Sequence, residues 1–167
     1  MIPTKENLVQ VIKADFDQLV IRICNRLQKI SLTHYENIDF ERHQEREEAF
    51  LSLICDALAD QNDEPLKNHM IELANIRHNE GYALAEVQSA IDTIEDELWD
   101  TVIACGRPPD IIINMLHEVH RLMVLMRNQF AVSYAEKQVD VQKRMAKLKE
   151  RFFIYRHDRQ DLEKEKS

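Results

Sequence analysis

Hydrophobic positions recur at helical spacing through most of the chain. Leu8, Ile12, Phe16, Leu19, Ile23 and Leu27 stand three and four residues apart, which predicts one helix from an N-cap at Thr4 to about Ile30. A polar connection over 31–38 follows. The second helix opens at Asp39 and closes near Asp60, with a firm buried face at Phe50, Leu51, Ile54 and Leu58. Its first turns, 41–48, are almost wholly charged, so His43 and Glu47 are expected on the solvent side. Pro65 suits the first turn of a third helix, which buries Leu66, Met70, Leu73 and Ile76 and stops at Gly81, a left-handed C-cap. The fourth carries Leu84, Val87, Ile91, Ile94, Leu98 and Val102, with Asp92, Asp96 and Asp100 on its other side.

The last helix differs from these. Pro108-Pro109 opens it, and no Gly or Pro follows from Asp110 to Ser167. Leu116, Val119, Met123, Met126 and Phe130 form one apolar stripe. Val141, Met145, Leu148, Phe152 and Tyr155 form a second, eleven residues after Phe130. Eleven residues is close to three turns, so both stripes fall near one face of one helix. A continuous helix over 110–157 would run roughly 70 Å at ~1.5 Å per residue. The radius of gyration of a hundred-residue domain is only about 13 Å. The second half therefore outruns the body and needs a partner. The polar interval between Phe130 and Val141 leaves one alternative open: a bend at Ser133 or Gln138 that folds the second stripe back into a compact six-helix body.

Composition narrows the class. With two Gly, four Pro and 44% hydrophobic residues, the chain is expected to be all-α. Five helices with short connections imply a bundle or globin-like packing, with a body over 1–135 and an extension over 136–167. Charge divides at the same place. Residues 1–135 hold 12 basic and 23 acidic side chains, net −11, and residues 136–167 hold 10 and 7, net +3. An acidic body argues against nucleic acid or an anionic membrane as partner. The mixed tail suits a coiled-coil surface. No signal segment and no apolar run of membrane-spanning length is seen, so a cytoplasmic location is expected.

The candidate chemistry is thin. Cys24, Cys55 and Cys105 lie far apart in apolar helical contexts, without finger spacing, and read as buried free thiols. His117-Glu118-Val119-His120 has two residues between its histidines where the zinc-protease motif needs three. The acidic cluster 92–97 has the repeat of a solvated helix face, without the Gly-centred loop of a calcium site. No nucleophile elbow or phosphate-cradling loop is present. No enzymatic activity, metal or cofactor is expected. The alternative is a haem- or other cofactor-binding globin-like protein. One histidine is enough to hold the iron in such a bundle, and His78, His117 and His120 are the candidates.

The stretch from Leu73 to Val87 runs as a helix, a glycine stop, a tight turn and a restart with an acidic first turn. It resembles the corresponding segment of the N-terminal domains of RsbR/RsbRD-type stressosome proteins (RsbT co-antagonists). The matching positions are Arg77, Gly81, Leu84, Glu86 and Val87, followed by Ile91, Leu98 and Trp99. Helix order and the long final helix agree as well, so the resemblance covers about 5–135. It implies a dimeric, non-haem globin-like input module of a bacterial signalling system. In that family the final helix leads into a C-terminal signalling domain. Here a polar segment, 156–167, follows Tyr155, so either an output domain lies beyond it or the signal passes to a separate protein partner. The expected assembly is a homodimer whose long helices pair in parallel along Val141, Met145, Leu148, Phe152 and Tyr155.

Overall fold

The computed structural model describes residues 4–30, 34–35 and 38–164, with side chains as far as Phe153. Six helices span them: α1 Thr4–Ala14, α2 Phe16–Lys29, α3 Phe40–Ala59, α4 Glu64–Asn79, α5 Leu84–Ala104 and α6 Pro109–Lys164. The predicted first helix is broken in two at Asp15, whose backbone (φ −120°, ψ 18°) leaves the helical path. Its carboxylate accepts from Arg22 Nη2 at 2.8 Å. The break turns two stripes toward different neighbours. α1 buries Leu8, Val11 and Ile12 beside α3, α5 and α6, and α2 buries Leu19, Val20, Ile23 and Leu27 beside α3 and α5.

The core lies where α4, α5 and the first half of α6 meet the α1–α3 layer. α6 contributes Met115, Val119, Leu122, Met123, Met126 and Phe130, all buried. Ion pairs fix its position. Arg121 Nη1 donates to Asp63 Oδ2 at 2.6 Å in the α3–α4 turn, and Arg127 pairs with Asp92 and with Glu95, the latter at 2.7 Å. Glu97, buried within the acidic cluster of α5, receives Arg22 and Arg26 from α2, each at 3.1 Å. Glu95 and Glu97 thus belong to the packed interior, and only part of the cluster is a solvated face.

Neither bend in the last helix occurs: α6 runs unbroken through Ser133 and Gln138, and the fold-back arrangement is excluded. Its 56 residues span about 84 Å. Ser133 is the last buried residue on it, and every described side chain from Gln138 to Phe153 is exposed. Two smaller expectations are also corrected. Ile76 is half exposed, at the rim of α4, and Cys105 is only partly buried because α5 ends beside it.

Candidate functional site: an apolar cavity with a polar end

The apolar stripe of α3 continues one turn further upstream than its composition suggested. Positions 43, 47, 50, 54 and 58 follow the same spacing, so His43 and Glu47 point inward with Phe50, Ile54 and Leu58. Both are buried, His43 with 1% of its surface exposed, which corrects the expectation that they face solvent. They form the polar end of a cavity of about 270 Å³ between α3, α4 and α5. α4 supplies His69, Met70, Leu73 and Arg77, and α5 closes it with Val87, Ala90, Ile91 and Ile94.

Several polar atoms there are left unpaired. Neither ring nitrogen of His43 has a hydrogen-bond partner among the described residues. The Glu47 carboxylate stands 3.9 Å from His43 Nδ1, beyond hydrogen-bond reach. Burial lowers the proton affinity of this ring, and Arg46 and Arg77 lower it further, against a weaker pull from the Tyr35 backbone. His43 is therefore neutral near pH 7. Glu47 moves the other way: burial outweighs the attraction of Arg77 and Arg46 and pushes its carboxyl up to about 7. His69, half-buried against the Phe50 ring, is held below the usual imidazole range, mainly by burial. Arg77 donates from Nη1 to Glu80 Oε2 at 2.6 Å and lies 4.6 Å above the Tyr82 ring, while its Nε is buried without a partner among the described residues.

Arg77 begins the turn singled out by sequence. Tyr82 N–H donates to the Arg77 carbonyl at 2.9 Å and Gly81 N–H to that of His78 at 3.2 Å, the paired bonds of a Schellman stop. Gly81 sits at φ +84°, where side chains with a Cβ are strained. Glu86 then restarts the helix by accepting from Ala83 N–H at 2.8 Å. The same carboxylate receives His34 Nδ1 at 3.0 Å. Burial raises its proton affinity, but these bonds outweigh burial and hold the carboxyl below its usual range. Leu84 packs partly buried against the core. His34 stacks on Tyr82 at 4.3 Å, and Tyr35 meets the same ring edge-on. On the far side, Tyr134 Oη of α6 donates to the Tyr82 carbonyl at 2.9 Å.

The histidines chosen by sequence for a haem do not line the cavity. His78 packs against Tyr134, His117 is exposed on α6, and His120, largely exposed, donates to Glu95 at 2.9 Å. His43 and His69 take that place. The residues do not fit a haem: about 270 Å³ falls below the ~300–1,000 Å³ of pockets for drug-sized ligands, and a porphyrin is larger still. Arg77 and Glu47 also occupy the polar end. Among the described residues, no group of three His, Cys, Asp or Glu side chains could hold a metal ion. A larger cleft, about 570 Å³, lies beside Arg22 and Arg107, but it is open, and Arg22 is already satisfied there by Asp15, Glu97 and Thr101.

The second stripe of α6 is presented to solvent. Val141, Met145, Leu148 and Phe152 are all exposed, Phe152 at 72%, and the side chain of Tyr155 lies outside the described residues. No described helix is long and apolar enough to cross a membrane.

No protein-family model matches the chain. No curated protein sequence matches it either. Among solved structures, it is similar to the globin domain of E. coli DosC in its ferric form (TM-score 0.68, 12% identity, 77% of this chain and 88% of that one). The ferrous form of the same domain gives a TM-score of 0.67 at 12% identity, over 77% of this chain and 87% of that one. At this identity the likeness concerns the fold: the chain is an all-α, globin-like bundle with a long C-terminal helix.

Proposed function

We propose that the chain is a non-haem, globin-like input module of a bacterial signalling system, of the stress-response kind. It acts by dimerisation and partner docking, without catalysis. The observation that carries this reading is the free half of α6, whose apolar seam is exposed at Val141, Met145, Leu148 and Phe152. The link from Arg77 through Tyr82 to Tyr134 supports a route outward, since it ties the cavity wall to α6 next to the last buried residue.

The geometry favours antiparallel pairing over the parallel arrangement expected from sequence. At 100° per residue, Phe152 lies only about 40° around the helix from Phe130, which is buried in the body. The seam therefore faces the side on which the chain's own body sits, and a parallel partner followed upstream would run into that body. An antiparallel partner runs away from it. It also brings the basic 136–167 segment of one copy beside the acidic 1–135 body of the other. Replacing Leu148 and Phe152 by Glu is expected to give monomers in sedimentation velocity. An unchanged dimer would overturn the seam.

A further inference from the structure

The cavity joins an apolar body to a polar end that has more donors than partners. Its walls are aliphatic or aromatic at Phe50, Met70, Ala90 and Ile94. At the other end Arg77 Nε and one His43 ring nitrogen are N–H groups with no hydrogen-bond acceptor among the described residues, both on side chains more than nine-tenths buried. Buried donors left unpaired are costly and rare, so an acceptor that completes them gains more than an ordinary hydrogen bond. Arg46, at the same end, makes no hydrogen bond or ion pair with a described residue. An amine would meet two guanidinium groups there, and a purely apolar molecule would leave both donors unmet.

We infer that this cavity binds a small monocarboxylic acid with a compact apolar body, its carboxylate at the polar end beside Arg77 and His43 and its body against the α4–α5 wall. The inference rests on the input-module reading and names the ligand class that the module would take. Size follows from the volume. At ~30 Å³ per water-sized atom, 270 Å³ holds about nine non-hydrogen atoms, the size of benzoate or a medium-chain acid. Glu47 adds a pH dependence. The groups facing it are Tyr35 from the α2–α3 connection, His43 and Arg46 on α3, Arg77 on α4 and Cys24 on α2, with apolar residues on α5. A bound carboxylate repels the ionised form of Glu47, so binding takes up a proton and tightens as pH falls.

Titration calorimetry of the full chain with benzoate and octanoate tests this, with benzyl alcohol, benzylamine and acetate as controls. Benzoate or octanoate is expected to bind at least tenfold more tightly than each control, and more tightly at pH 6 than at pH 8. Arg77→Met is expected to cut that affinity at least tenfold. Should that variant fail to fold, Ala90→Leu, which fills the α5 wall, is expected to abolish binding while the helical circular dichroism is kept. Equal binding of benzyl alcohol, or undiminished binding by folded Ala90→Leu, would overturn the inference. Absence of heat with both acids, in a sample that sediments as a dimer, would overturn it while leaving the input-module reading in place.

Discussion

Tyr134 and Tyr82, 52 positions apart, are joined by a hydrogen bond from the Tyr134 hydroxyl to the Tyr82 carbonyl at 2.9 Å. The bond closes the turn between α4 and α5 onto the long helix at the point where that helix leaves the body. Tyr82 also lies under the Arg77 guanidinium and against His34 and Tyr35, so one ring gathers the end of α4 and the α2–α3 connection. Tyr134→Phe removes the donor and keeps the ring contacts with His78 and Phe130. The expected loss is about 1 kcal/mol, read as a fall in melting temperature of roughly 2–4 °C. An unchanged melting temperature would show that the bond does not hold the turn.

Gly81 provides the second check. Among the described residues a Cβ there would meet only His34 Nε2 at 3.9 Å, ordinary contact, so the cost of substitution is backbone strain at φ +84°. Gly81→Ala is expected to lose about 1–2 kcal/mol in urea unfolding. Gly81→Asn, which tolerates the left-handed region better, should lose less. Equal losses would point to packing instead of φ.

Glu47 sets a pH dependence of stability whose sign is opposite to that of an ion-paired carboxylate. Its folded pKa, about 7, stands above the ordinary value of 4.5. Between those values the folded state holds a proton that the unfolded state has lost. The stabilising contribution is thus complete below about pH 4.5 and is lost as pH rises through 7. His43, held below its ordinary value, works in the other direction: its contribution is present above about pH 6.5 and fades as pH falls. Glu47→Gln isolates the first effect. Relative to the variant, the unsubstituted protein is expected to lose up to roughly 3 kcal/mol between pH 5 and pH 8 in denaturant titrations. A constant difference would contradict the buried, proton-holding carboxyl.

Much of this architecture was legible in the chain because Gly and Pro punctuate it so rarely. The stop at Gly81, the entry at Pro109 and the uninterrupted run after it each follow from one residue's backbone preference. The break at Asp15 was not legible, since Leu8, Ile12, Phe16, Leu19 and Ile23 keep helical spacing across it and only tertiary packing bends the path. The cavity was hidden by composition. The turns around His43 and Glu47 are so charged that they read as surface, and the signal that could have found them is periodicity: the Phe50–Ile54–Leu58 stripe, extended backward, lands on both. His69 carried no such signal, because its burial comes from the Phe50 ring on another helix. The exposed seam on α6 was legible, and so was the side of the helix it occupies, since both stripes fall near one face.

Pairing of the long helices is tested most directly by pulsed dipolar spectroscopy on spin labels at Lys147→Cys and, separately, Gln138→Cys. Burial first holds the thiols of Cys24 and Cys55 up at about 12 and about 11, so only Cys105 need be replaced, as Cys105→Ser. Position 147 lies next to the middle of the 141–155 seam, and position 138 lies ten residues before that middle. Antiparallel pairing predicts a short distance between the two copies at 147 and a distance about 30 Å longer along the axis at 138. Short distances at both positions would contradict the antiparallel arrangement, and the absence of any dipolar signal would contradict the dimer.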